Sequence, residues 1–147
     1  QSIFLSNMPA NASLIPDVKL EEKWNKIRRV RETVQKVLEE TRQKGIIGSS
    51  LEAKVIFKTS DPKMKAFLEE TKALWPEIAI VSAVEIADGT EELTVEAEHA
   101  AGHKCARCWQ WKEDVGTDAA HPDLCSRCAH VLEKEGLTVE EGEKVSA

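Results

Sequence analysis

The sequence predicts an α+β chain built of one long helix, a small β-α-β-β module and a short C-terminal ribbon tied by cysteines. Three observations carry this. Apolar residues recur every three or four positions between residues 20 and 38, and they alternate in steps of two between residues 51 and 57. All four cysteines fall within residues 105–128, as two Cys-x-x-Cys pairs with sixteen residues between the inner cysteines.

The first eighteen residues carry Pro9 and Pro16 among Ser and Asn and read as an irregular segment lying across a surface. The helix follows. Leu20, Trp24, Ile27, Val30, Val34, Val37 and Leu38 form its apolar stripe, and Lys, Arg and Glu cover most of the other sides. Asp17 suits the N-cap, and Gly45 suits the left-handed residue just past the end. Trp24 lies on the stripe and is expected to pack in a core.

The period then changes to two. Leu51, Ala53, Val55 and Phe57 point one way, with Glu52, Lys54 and Lys58 opposite, as in a strand with one wet face. Ser60 or Asp61 before Pro62 starts a short helix with Met64, Phe67, Leu68 and Leu74 on its stripe, expected to end before Trp75-Pro76. Ile78, Ile80, Val84 and Ile86 suggest a second strand. After Asp88-Gly89, Leu93, Val95 and Ala97 suggest a third, paired with the second as a hairpin. The expected division is residues 1–45, 46–100, 101–133 and a polar tail over 134–147.

At 147 residues, 41% hydrophobic and 31% charged, the composition is that of a globular chain with modest cores. No apolar run approaches the ~20 residues that span a bilayer. The start lacks a Met, a basic region and a long apolar run, so it reads as a cut inside a longer protein and not as a secretory signal. A net charge of −6 argues against nucleic-acid binding until its distribution is considered. Residues 19–44 hold nine Lys/Arg against five Glu, so the basic excess sits on the long helix. Charge alone reads most simply as a solvated face, with a polyanion-facing one as the alternative.

Two Cys-x-x-Cys knuckles at this spacing can turn four sulfurs inward onto one tetrahedral Zn²⁺, so Cys105, Cys108, Cys125 and Cys128 are the expected ligands of one structural ion. A disulfide framework would need an oxidising compartment, and a redox pair would not need a second knuckle. Four thiolates leave no open position to activate water, and His103, His121 and His130 are not needed as ligands. About thirty residues are too few for a self-sufficient apolar core, so the metal would supply the missing stability. Arg107 and Arg127 each stand just before the second cysteine of a knuckle, and Trp109 and Trp111 follow the first. An arginine beside an indole suits an unpaired base, the ring by stacking and the guanidinium by contact with phosphate. The alternative for either indole is a lid on the knuckle, a role that fits Trp111 better.

The stretch CARCWQWKEDVGTDAAHPDLCSRCAHVL, with its Gly102-His103-Lys104 lead, closely resembles the C-terminal zinc-binding segment of the bacterial isoleucyl-tRNA synthetases. That finger type also ends formamidopyrimidine-DNA glycosylases, which tend to carry Gly where this chain has Trp109. Upstream, VRETVQKVLEETRQKGIIGSSLEAKV resembles the last helix of the anticodon-binding domain of class I synthetases and the start of the next module. The resemblance covers most of residues 20–132 and is sharpest over 102–130.

It implies a parent enzyme that activates isoleucine with ATP and Mg²⁺, transfers it to tRNA and hydrolyses mischarged valine elsewhere. The family's catalytic signatures, His-Ile-Gly-His and Lys-Met-Ser-Lys-Ser, are absent from this chain, so no catalytic residue is assigned. The resemblance implies contact with the tRNA(Ile) anticodon arm through Arg107 and Trp109, with Lys104, Trp111 and Arg127 nearby. Lys26, Arg28, Arg29 and Arg31 on the long helix would add phosphate contacts. It further implies a monomeric, cytoplasmic protein without membrane contact, whose other partner is the rest of the synthetase chain. The alternative is a freestanding or glycosylase-type zinc ribbon that binds DNA.

Overall fold

The computed structural model describes residues 17–135; the expected leading segment and most of the polar tail lie outside the described residues. The chain divides into two compact units between residues 30 and 31, inside helix α1 (Val18–Gln43).

In the first unit Asp17 caps the helix, its Oδ1 accepting from the Leu20 N–H at 3.1 Å. Ile27 and Val30 are buried, but Leu20 is 51% and Trp24 40% exposed. Trp24 is therefore not a core residue here. The apolar stripe begins before any described residue covers it.

In the second unit, Val34 and Leu38 continue the stripe into a core. Gly45, at φ 72°, ends the helix as expected: its N–H donates to the Arg42 carbonyl and that of Ile46 to the Thr41 carbonyl. A 3-10 turn (Ser50–Glu52) leads into β1 (Ala53–Thr59), where Ala53, Val55, Phe57 and Thr59 are buried and the residues between them half-buried. Lys54 pairs with Glu85 and Glu98, and Lys58 with Glu96, across the wet face.

Asp61 caps α2 (Pro62–Thr71), accepting from the N–H groups of Lys63 and Met64. α2 ends before Trp75-Pro76, as expected, but no strand follows there. A 3-10 turn (Lys72–Leu74) tightens the chain, and Trp75 begins a second short helix, α3 (Trp75–Ala79), with the proline in its first turn. The indole of Trp75 is fully buried, 5.0 Å from the ring of Phe57, and its Nε1 donates to Thr71 Oγ1. Leu74, expected on the stripe, is exposed instead. Ile78 lies in α3 and Ile80 is its left-handed cap, so the second strand is only β2 (Ala83–Asp88).

The strands do not form the expected hairpin. β1 lies in the centre, parallel to β2 on one side and antiparallel to β3 (Thr94–His99) on the other. The Asp88-Gly89 turn instead carries the chain across the end of β1. Gly89 donates to the Thr59 carbonyl, and a Cβ on it would lie 2.8 Å from the Thr59 nitrogen. Ser60 and Thr59 hold the crossing segment through the Glu91 and Glu92 carbonyls. The glycine is thus required by close backbone approach and not by a two-residue turn.

Candidate metal centre and nucleic-acid interface

Four residues after β3 a two-stranded ribbon begins, β4 (His103–Lys104) against β5 (Trp111–Lys112), and after a loop the chain ends its described course in α4 (Ser126–Glu135). Gly102, at φ 87°, makes the ribbon possible. A Cβ there would fall 2.3 Å from the Lys112 carbonyl. The first knuckle closes when the Trp109 N–H donates to the Cys105 carbonyl and the Cys105 N–H to that of Gln110. The second is the start of α4, where the N–H groups of Cys128 and Ala129 donate to the Cys125 carbonyl. Ala106 N–H to Asp123 carbonyl, at 3.0 Å, joins the two.

This brings the four sulfurs within 4.8 Å of one another, with Cys108 and Cys125 3.9 Å apart. Four thiolates around Zn²⁺ at ~2.3 Å lie about 3.8 Å from each other, so the donor set and its spacing fit that ion. All four cysteines are free, and 3.9 Å is far beyond a bonded pair. Among the described residues no histidine joins the group. Burial raises the Cys105 thiol, but hydrogen bonds from the backbone N–H groups of Cys108, Cys125 and Arg107 outweigh it and bring it down to about 6. Burial pushes Cys108 up to about 12, aided by the neighbouring sulfurs, and raises Cys125 as well. Sulfurs this crowded ionise together only around a cation. When bound, zinc would cross-link the knuckles and leave no position open for chemistry.

The two tryptophans part company. Trp111 is half-buried against His99, edge to face at 4.5 Å, and its backbone N–H donates to Ser82 Oγ at 2.7 Å. Its indole N–H is buried without a partner among the described residues, so packing sets its position. Trp109 is 60% exposed at φ 64°, a conformation costing a non-glycine residue roughly 1–2 kcal/mol. Its Nε1 donates to the Ala106 carbonyl at 3.1 Å, and the Lys104 ammonium lies 5.5 Å from the ring centroid.

The basic candidates also separate. Arg107 is exposed yet donates to Cys128 Sγ at 3.7 Å, whereas Arg127 is exposed with no such partner among the described residues. Arg31 is half-buried and donates to the Ile78 carbonyl at 3.0 Å, a structural tie between α1 and α3. Lys26 is half-buried, Arg28 bonds Asn25, and Arg29 is exposed. Sequence reasoning missed Asp114. Its Oδ2 accepts from both the N–H and the hydroxyl of Ser126, twelve residues away, which holds its carboxyl below the usual range against the opposing effect of burial. No local pattern announces a partner at that distance.

Residues 102–131 match the family model described as "Zinc finger found in FPG and IleRS". Beyond the finger, the chain is 43% identical over 139 residues to an isoleucine–tRNA ligase of Carboxydothermus hydrogenoformans, covering 90% of the chain and 15% of the relative. Isoleucine–tRNA ligases of Caldicellulosiruptor saccharolyticus and Thermotoga neapolitana are 40% and 41% identical, over 90% and 81% of the chain and 14% of each relative. The chain thus spans only about one-seventh of the length of these ligases. Among the described residues, no helix is long and apolar enough to cross a membrane.

Proposed function

We propose that this chain is the C-terminal tRNA-binding part of an isoleucine–tRNA ligase and holds none of the catalytic machinery. On this reading residues 1–45 end the anticodon-binding helical domain, 46–100 form a junction module, 101–133 form the zinc ribbon and 134–147 a tail. Cys105, Cys108, Cys125 and Cys128 hold the zinc. The partner is the anticodon arm of tRNA(Ile), met by a monomeric synthetase in the cytoplasm.

The observation that carries the reading is Trp109. A left-handed backbone is most cheaply occupied by glycine, yet an indole stands there, exposed and steadied by the Ala106 carbonyl. The exposed ring suits a stacking platform for an unpaired base, with the Lys104 ammonium 5.5 Å from its centroid; Arg107 and Arg127 are further cations of the finger, and Arg28 and Arg29 on α1 are separate candidates for phosphate contact.

Trp109→Ala in the whole ligase tests it. Stacking worth ~1–3 kcal/mol predicts tRNA binding weakened roughly 5- to 150-fold, with charging reduced to match. Isoleucine-dependent ATP–pyrophosphate exchange should stay unchanged, and equal loss of both activities would assign the indole to the fold instead. Titration against tRNA and duplex DNA at one stated salt concentration separates this reading from the DNA-binding one, which requires preference for duplex.

A further inference from the structure

We propose that Arg107 is a positioning residue of the metal centre, its guanidinium clamping the Cys128 sulfur across the two knuckles, while Arg127 is left for an external anion. The sequence gives no reason to separate these arginines, because each precedes the second cysteine of its knuckle. The structure does separate them. Arg107 Nη1 donates to Cys128 Sγ at 3.7 Å across twenty-one residues, and Arg127 has no polar partner among the described residues.

The backbone explains the difference. Ala106 N–H is fastened to the Asp123 carbonyl, so the stem of Arg107 leaves the first knuckle close to the second. Arg127 is the second residue of α4, with its side chain exposed. Four thiolates on a dication carry a net charge of −2, and donors to sulfur offset it. The other donors to these sulfurs from outside the thiols are neutral backbone N–H groups, among them that of Cys125, 3.4 Å from Cys105 Sγ. Arg107 is thus the one charged donor to the cluster among the described residues. It holds electron density at Cys128 and shields that sulfur from electrophiles. The inference rests on the zinc reading alone and is independent of RNA.

The zinc-loaded chain tests it without any nucleic acid. Zinc transfer to 4-(2-pyridylazo)resorcinol is timed at fixed pH and salt, and iodoacetamide alkylation is mapped by mass spectrometry. Arg107→Ala should release zinc about tenfold faster, the low end for such outer partners because this guanidinium is water-screened. Cys128 should become the first sulfur alkylated. Arg107→Lys, which keeps the charge but loses the fork, should fall between, and Arg127→Ala should match the unmodified chain. Equal rates for Arg107→Ala and the unmodified chain would overturn the clamp, as would an Arg127→Ala as fast as Arg107→Ala. Should Arg107→Ala fail to load zinc, Arg107→Gln and Arg107→Lys decide: release no slower from Lys than from Gln overturns the charge argument. Unchanged tRNA binding by the Trp109→Ala whole ligase, beside the zinc release and alkylation patterns expected here, would refute the proposed function and leave the clamp standing.

Discussion

The β-α-β-β module and the finger are neighbours in one compact unit, but they are held together by different physics. The module buries Val55, Phe57, Leu68, Trp75 and Val81 completely, a contiguous apolar interior between sheet and helices. The finger buries Cys105, Cys125 and Cys128 with Leu124 and Leu132, the smaller Ala129 is buried as well, and Val115 packs partly against the cluster. Apolar burial holds the first. The second has too little of it, and its cohesion is concentrated at four sulfurs. Each region is therefore expected to fail under a treatment that spares the other.

The largest contrast should come from metal removal. Structural zinc contributes ~10 kcal/mol or more, so a strong chelator, or Cys108→Ser, should abolish hydrogen-exchange protection at Cys105, Trp109 and Ala129. The amides of β1 should stay protected, and a finger that remains protected without metal would remove the contrast altogether. The reverse experiment is Trp75→Ala. It opens a void behind Phe57 and should destabilise the module by about 3–5 kcal/mol while zinc stoichiometry at moderate temperature remains one per chain. Loss of zinc in parallel would mean that the finger cannot stand without its neighbour.

Acidity should discriminate the two regions as well. Cys108 at about 12 and the raised Cys125 hold their protons at neutral pH, so zinc binding displaces them and affinity falls as pH falls. Below about 6 the Cys105 proton joins the competition, and each proton steepens the loss by ~1.4 kcal/mol per pH unit. Zinc titrations from pH 8 to 5 should show that steepening while module unfolding in denaturant changes little. A flat metal affinity over this range contradicts thiolate ligation.

The smallest effect concerns the two left-handed non-glycine residues among the described ones, Ile80 in the module and Trp109 in the finger. Ile80 is 57% exposed and β-branched, so Ile80→Gly should relieve strain and stabilise the module by about 1 kcal/mol in a denaturant melt. Destabilisation there would mean that Ile80 has a packing role its exposure hides.

Legibility in the sequence followed how local the determining interaction is. The period of α1, the alternation of β1 and the cap at Asp61 involve neighbours along the chain, and all three appear where the pattern places them. Strand order was not legible. Whether β3 pairs with β2 or passes to the far side of β1 depends on the contact of Gly89 with the Thr59 and Lys58 backbone, and Asp-Gly reads the same either way. The stop of α2 before Trp75-Pro76 was legible, but the short helix that starts there was not, since proline suits a helix start as well as a stop. In the finger, the cysteine spacing was plain. The different partners of Arg107 and Arg127, and the reach of Asp114 to Ser126, emerge only once the knuckles face each other.

The seam between ribbon and sheet has a consequence of its own. The Trp111 N–H is bonded to Ser82 Oγ, and Gln110 reaches the Val81 carbonyl, so the two residues that leave the first knuckle just after Trp109 are riveted to the loop that leads into β2. The exposed indole is accordingly presented on a stiff mount and not on a tether. A ligand seated on it would lose little free energy to organising its receptor, and a tight grip could come from a small footprint.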